Sequence, residues 1–144
     1  MVLVPGRSAI GASLCLGDDS GVLRLYDVAS LIAPPADSLP IVQPQAEGKA
    51  AGRISAAASS ADGARIFVMC TNGPITVHDA RTRELPVLRS LVFTGCDNPM
   101  SSHLMVCTEM GKRELLAAVA GGVMSRTSPP DSIVTIWQLM GNGE

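Results

Sequence analysis

Gly73-Pro74-Ile75-Thr76-Val77-His78-Asp79 decides how this chain is read, because it recurs. Gly21-Val22-Leu23-Arg24-Leu25-Tyr26-Asp27 lines up with it upstream, and Ser132-Ile133-Val134-Thr135-Ile136-Trp137-Gln138 downstream. Apolar residues fill the same two slots in each copy: Leu23 and Leu25, Ile75 and Val77, Val134 and Ile136. A ring follows (Tyr26, His78, Trp137), and then a polar residue. The copies begin 52 and 59 residues apart. Residues two apart share one face of a β-strand, and a motif returning at such a period marks a repeat architecture. That moves the functional question from catalysis toward surfaces.

Working outward from the middle copy, short β-prone runs alternate with turns. Ile54–Ala58 leads into Ser59-Ser60-Ala61-Asp62-Gly63, and Ile66–Cys70 into Thr71-Asn72-Gly73. Asp-Gly and Asn-Gly suit tight hairpin turns because Gly, and less readily Asn or Asp, accepts positive φ. After Asp79 a polar stretch reaches Glu84, and Val87–Phe93 is a further apolar run ending at Thr94-Gly95. Four strands are therefore expected within about 45 residues. The last copy repeats the order, with strands at Leu104–Cys107, Leu115–Ala120 and Ile133–Leu139 and a turn at Met110-Gly111-Lys112. Leu115–Met124 has some helix propensity, but Val119 and Gly121-Gly122 favour a strand. Around the first copy, Ala9–Leu16 and Val22–Tyr26 read as strands, and nothing upstream is long enough for another.

Two segments read as loops. Ala33–Gly52 carries Pro34, Pro35, Pro40 and Pro44. Proline cannot donate to a ladder, so an irregular excursion around one short edge strand at Ile41-Val42 is expected. Gly121–Asp131, with Ser128-Pro129-Pro130, reads as a long loop. No coiled-coil heptad or amphipathic helix stands out.

The totals set bounds. The 144 residues suffice for one domain with a real core. Apolar residues make up 47%, as in ordinary globular proteins, but aromatics only 3%, so the core must rest on Val, Ile, Leu, Ala and Met. A net charge of -2, with no dense Lys/Arg cluster, gives nucleic acid no electrostatic footprint, and direct contact with it is not expected. Cys15, Cys70, Cys96 and Cys107 form no CxxC pair, and the histidines are His78 and His103. Zinc sites cluster such ligands at short spacing, so reduced, buried cysteines are expected and no metal or other cofactor. Met1-Val2-Leu3-Val4-Pro5 is too brief for a signal peptide, and no apolar run approaches the roughly 20 residues needed to cross a bilayer. A cytoplasmic or nuclear location without membrane contact follows as the default expectation.

These residues resemble the WD40-repeat family of β-propellers, whose four-stranded blades take roughly 40–45 residues each. The matching features are Asp62-Gly63 after a first strand, Asn72-Gly73 before a third, and a ring-Asp pair closing that strand. Tyr26-Asp27 is the conservative form of the pair and His78-Asp79 a weaker one. Trp137-Gln138 keeps the ring and loses the carboxylate. Phe93-Thr94-Gly95-Cys96 stands where the family usually has Gly-His. The resemblance spans about 130 of the 144 residues. It implies an all-β propeller segment of about two and a half blades. Residues 1–32 form a partial blade holding second and third strands, 33–52 a Pro/Ala-rich loop, 53–95 a blade, and 96–144 a blade with a long loop at 121–131. The structural motif residues it implies are Tyr26, Asp27, His78, Asp79 and Trp137. No unit has the family's full Asp, His, Ser and Trp set, so packing and backbone pairing must hold each blade. Propellers have 4–8 blades. The expectation is therefore a piece of a larger ring, completed by the same longer chain or by another subunit.

Catalysis finds little support in the sequence. His78 occupies a structural ring slot, Asp18-Asp19 fits a hairpin turn, and GxxxxGK[ST], GxSxG and HExxH are all missing. The expected role is a non-catalytic protein–protein interaction scaffold in a multi-protein complex, with contacts on loops such as 33–52 and 121–131. Arg126-Thr127-Ser128-Pro129 reads either as a phosphorylation site or as a chance pattern. One finer resemblance is to substrate receptors of cullin-4 ubiquitin ligases, which dock through an aromatic-Asp-x-Arg motif. His78-Asp79-Ala80-Arg81 keeps its Asp and Arg, and Ile54–Ile75 and Val92–Gly95 resemble the denticleless branch. By that resemblance Asp79 orients the turn and Arg81 reaches the adaptor; otherwise Arg81 and Arg83 are ordinary turn residues. A structural propeller subunit of a ribonucleoprotein or cytoskeletal assembly is the remaining alternative.

Overall fold

The computed structural model describes residues 1–6, 12–32, 42–71, 73–92, 101–110, 113–121 and 132–139. These residues form three antiparallel sheets and one short helix. The first sheet holds β1 (Val2–Val4), β2 (Ser13–Gly17), β3 (Val22–Asp27) and β4 (Ala46–Lys49), with α1 (Val28–Ile32) between its last two strands. The middle sheet holds β5 (Ile54–Ser59), β6 (Arg65–Cys70), β7 (Ile75–Asp79) and β8 (Val87–Leu91). The third holds β9 (Ser101–Met110), β10 (Arg113–Gly121) and β11 (Ser132–Leu139). Each strand pairs with its chain neighbour, so every sheet is a meander. The fold is thus all-β and unclosed, as a propeller-like segment would be.

The three motif copies take equivalent places. In β2 and β3, Leu14 faces Tyr26, Cys15 faces Leu25, Leu16 faces Arg24 and Gly17 faces Leu23. In β6 and β7 the same rows read Ile66–His78, Phe67–Val77, Val68–Thr76 and Met69–Ile75. In β10 and β11 they read Leu116–Trp137, Ala117–Ile136, Ala118–Thr135 and Val119–Val134. Alternate rows point to opposite faces of a sheet. The face carrying the paired aliphatic slots is termed the forward face, and the one carrying the ring the rear face.

Two cores follow from this alternation. Leu23, Leu25 and Cys15 on the forward face of the first sheet pack on Ile66, Val68 and Cys70 on the rear face of the middle sheet. Phe67, Met69, Ile75 and Val77 on the forward face of the middle sheet pack on Leu116, Ala118 and Trp137 of the third. The inner strands of the middle sheet, β6 and β7, are covered on both sides. That is why Ile66-Phe67-Val68-Met69-Cys70 is continuously apolar, where a sheet half in water would alternate. Between sheets, β1 lies against β5 and β5 against β9, so the sheets approach most closely along their leading strands.

Three features differ from the sequence reading. Val2–Val4 is a strand: its three residues pair with Ser13–Cys15, and Val4 is buried against the middle sheet. The edge strand inside 33–52 is Ala46–Lys49, with Val42 outside it and Ile41 beyond the described residues. The first unit therefore has four strands rather than two. Ala46-Glu47-Gly48-Lys49 lacks β-branched residues, and its pairing with β3 is a tertiary effect. Gly48 lets the two sheets close, because a Cβ there would lie 2.6 Å from Leu85 Cβ. Helix α1 is also unforeseen; it is a single turn with no buried residue.

Candidate functional site

The turn after β7 is held by a set of polar contacts. Asp79 Oδ1 accepts the backbone N–H of Arg81 at 2.9 Å and its Nε–H at 2.7 Å, while Oδ2 accepts from Nη2 at 2.7 Å. Two parallel charge-assisted bonds fix the guanidinium plane as well as its position. Asp79 is nearly buried and Arg81 remains partly exposed. The Asp79 N–H donates to Pro86 O, and the Ala80 N–H to Ala64 O, which anchor both flanks of the turn. The turn also reaches the first sheet, where the Glu47 N–H donates to Arg83 O at 2.9 Å.

Beneath this turn sits His78, fully buried on the rear face of the middle sheet. Its Nδ1 lies 2.8 Å from Leu85 O and its Nε2 2.9 Å from Thr76 Oγ1. A carbonyl can only accept, so Nδ1 carries the proton; in the neutral ring Nε2 accepts from the Thr76 hydroxyl, for which Val68 O at 3.4 Å is the competing acceptor. Burial depresses the basicity of the ring below that of a free imidazole, and the Leu85 carbonyl opposes this in part. Leu85 has φ of 43°, an uncommon conformation for a branched side chain, and fills the space between the first and middle sheets. A cavity of about 240 Å³ opens beside the turn, lined by Val4, Pro5, Ser13, Leu25, Ala80 and Arg81 among others.

The motif's polar slot does different work in each copy. Asp27 caps α1: Oδ1 accepts from the Ala29 N–H and Oδ2 from the Ser30 N–H and hydroxyl. Tyr26 is half-buried on the open rear face of the first sheet, and Trp137 packs against the core between the middle and third sheets. Gln138 is exposed. Asp18 makes the β2–β3 turn, accepting from the Ser20 hydroxyl and from the Val22 and Ser20 N–H groups; the hydroxyl bond first, and then the backbone bonds, hold its carboxyl below the usual aspartate range. Asp19 pairs with Arg53 instead. In the β5–β6 turn Asp62 accepts from the Ser60 hydroxyl and the Ala64 N–H, and Gly63 has φ of 67°.

One polar link was invisible in the sequence. Arg65 of β6 pairs with Glu114 of β10 across the interface between the middle and third sheets, both largely buried. The Cys107 thiol donates to the other Glu114 oxygen at 3.3 Å. Burial, and then the Glu114 charge, push this thiol up to about 12. Burial raises Cys15 to about 11 and lifts Cys70 as well. At about 11 and 12, Cys15 and Cys107 carry almost no reactive thiolate at neutral pH. Among the described residues, no group of three or more His, Cys, Asp or Glu is placed to hold a metal, and no helix is long and apolar enough to cross a membrane. Phe93-Thr94-Gly95-Cys96, Asn72, the loop at 122–131 with Arg126-Thr127-Ser128-Pro129, and residues 33–41 of the proline-rich loop lie outside the described residues, as does the side chain of His103. A scan against protein-family models finds no match to this chain, and neither does a search of curated proteins.

Proposed function

We propose that this chain is a non-catalytic interaction scaffold of WD40-repeat type, working in the cytoplasm or nucleus inside a multi-protein complex. The observation that supports this is how its polar side chains are used. Asp18, Asp27, Asp62 and Asp79 each bond the backbone N–H groups of their own turn. His78 is held by Thr76 and Leu85, and Glu114 by Arg65. Groups spent on fixing turns and sheet contacts give a rigid frame for presenting loops. Quantitative affinity purification of the tagged chain tests this. Stoichiometric protein partners are expected, and a chain that retains none while turning over a small-molecule substrate would refute it.

The Asp79–Arg81 clamp favours one specific version, a substrate receptor of a cullin-RING ubiquitin ligase. A guanidinium fixed by two bonds costs little further ordering when a partner carboxylate or carbonyl meets its exposed edge. Arg81→Ala should abolish retention of the purified cullin-4 adaptor, while Arg83→Ala should leave it. Equal retention by wild type and Arg81→Ala would remove the ligase reading and leave the scaffold reading standing.

A further inference from the structure

The paired aliphatic slots of the motif are buried in two sheets and bare in the third. Leu23 and Leu25 are 0% and 4% exposed, Ile75 and Val77 0% and 1%, but Val134 and Ile136 are 62% and 64% exposed. The surrounding rows are apolar too, since Val134 faces Val119 and Ile136 faces Ala117 on β10. At the opposite end of the stack, the rear face of the first sheet is equally uncovered. Leu3 and Leu16 are exposed there, and Leu14 and Tyr26 half-buried. Among the described residues this face also carries charge: Arg24 is bonded to Glu47 and Asp18 of the same sheet, and the exposed Lys49 stands in register with Val22.

These two surfaces are the two halves of one repeated contact. Twice within the chain a forward face packs on a rear face, at the same rows of the same strands. Tyr26 occupies the slot that His78 and Trp137 fill at those contacts. Where the first sheet meets the middle one, a forward face with the small Cys15 receives Ile66 and Val68. In the row of Cys15 the bare forward face has Ala117, and the bare rear face offers Leu14, Leu16 and Tyr26.

We propose that a second copy of this chain covers the bare face, head to tail. The forward face of each third sheet packs on the rear face of the partner's first sheet. A head-to-tail contact either closes a ring or grows an open stack. Two copies of the three sheets that the described residues form make six, which lies within the 4–8 of closed propellers. Both junctions form at once, and neither apolar face stays in water.

The inference rests on reading the sheets as a propeller segment, and not on which proteins the scaffold holds. A failed pull-down therefore leaves it intact, and its own failure leaves the pull-down intact. The test is the mass of the full chain in reducing buffer, by sedimentation and light scattering. Twice 14.9 kDa is expected across a wide concentration range. Ile136→Lys and, separately, Leu16→Lys should each weaken the pair by roughly a hundredfold or more. Both positions are exposed in the single chain, so each variant should keep its far-UV β spectrum and sediment as a monomer. Mixing the two variants leaves one intact junction per pair and should partly restore the dimer. A folded wild-type monomer, or a ladder of open stacks, would overturn the proposal. So would a dimer broken by Ile136→Lys yet indifferent to Leu16→Lys, because that pattern marks two third sheets packed on each other.

Discussion

Val77 and Ile136 hold the same place in the same strand of neighbouring sheets, one completely buried and the other largely bare. Their local sequences, Ile-Thr-Val-His and Val-Thr-Ile-Trp, are near equivalents. What separates them is the next sheet: the third covers Val77, and no described residue covers Ile136. In these two strands the local pattern is alike, while burial is set by place in the stack. A substitution should be judged by its sheet before its residue type.

The largest effect should come from breaking that comparison directly. Val77→Asp buries a charge without a partner and should cost several kcal/mol, enough to unfold a domain of this size. Ile136→Asp, measured where the chain is monomeric, should shift stability by no more than about 0.5 kcal/mol. Urea unfolding of both decides it, and equal losses would mean that the third sheet is covered after all. Next comes the charged seam that binds the covered side. Glu114→Ala strands Arg65 at a largely buried site and should lower stability by about 3 kcal/mol. Glu114→Ala with Arg65→Met should recover much of it, read from the same urea midpoints.

A smaller effect probes the other covered interface. Gly48→Ala places a Cβ 2.6 Å from Leu85 Cβ and 3.1 Å from Glu84 O, and should cost about 2 kcal/mol. Gly52→Ala, with nothing within 4 Å, should be neutral or slightly stabilising in the same thermal melts. The smallest effect is acid sensitivity at His78. The folded state depresses its pKa below the free value near 6.5, so the unfolded chain binds the proton more readily. Stability should be at its plateau above about pH 6.5 and fall as pH drops toward the folded pKa. His78→Gln should flatten the urea midpoint between pH 7 and 5, and an unchanged slope would assign it to another group.

Much of this fold was legible. The middle and third sheets announce themselves through apolar runs separated by Asp-Gly, Asn-Gly and Gly-Lys, and their strands fall within a few residues of expectation. The elements that escaped share a cause. β1 is three residues long, and β4 reads Ala-Glu-Gly-Lys; both exist because a neighbouring strand offers a free edge, and no local pattern records that. At the candidate site, the resemblance singled out Asp79 and Arg81 but not the pairing of their side chains. The Arg65–Glu114 link could not be anticipated, since it joins strands 49 residues apart. The positive φ of Leu85 was equally hidden, because no Gly, Asn or Asp stands at that position to signal it.

The cysteines acquire a further meaning from where they sit. Cys15 belongs to the first sheet, Cys70 to the middle and Cys107 to the third. Each thiol is silenced by burial, so each stays dark to alkylating reagents until its own sheet opens. Among the described residues there is thus one native chemical clock per sheet, and the order in which Cys15, Cys70 and Cys107 start to react records the order in which the stack comes apart.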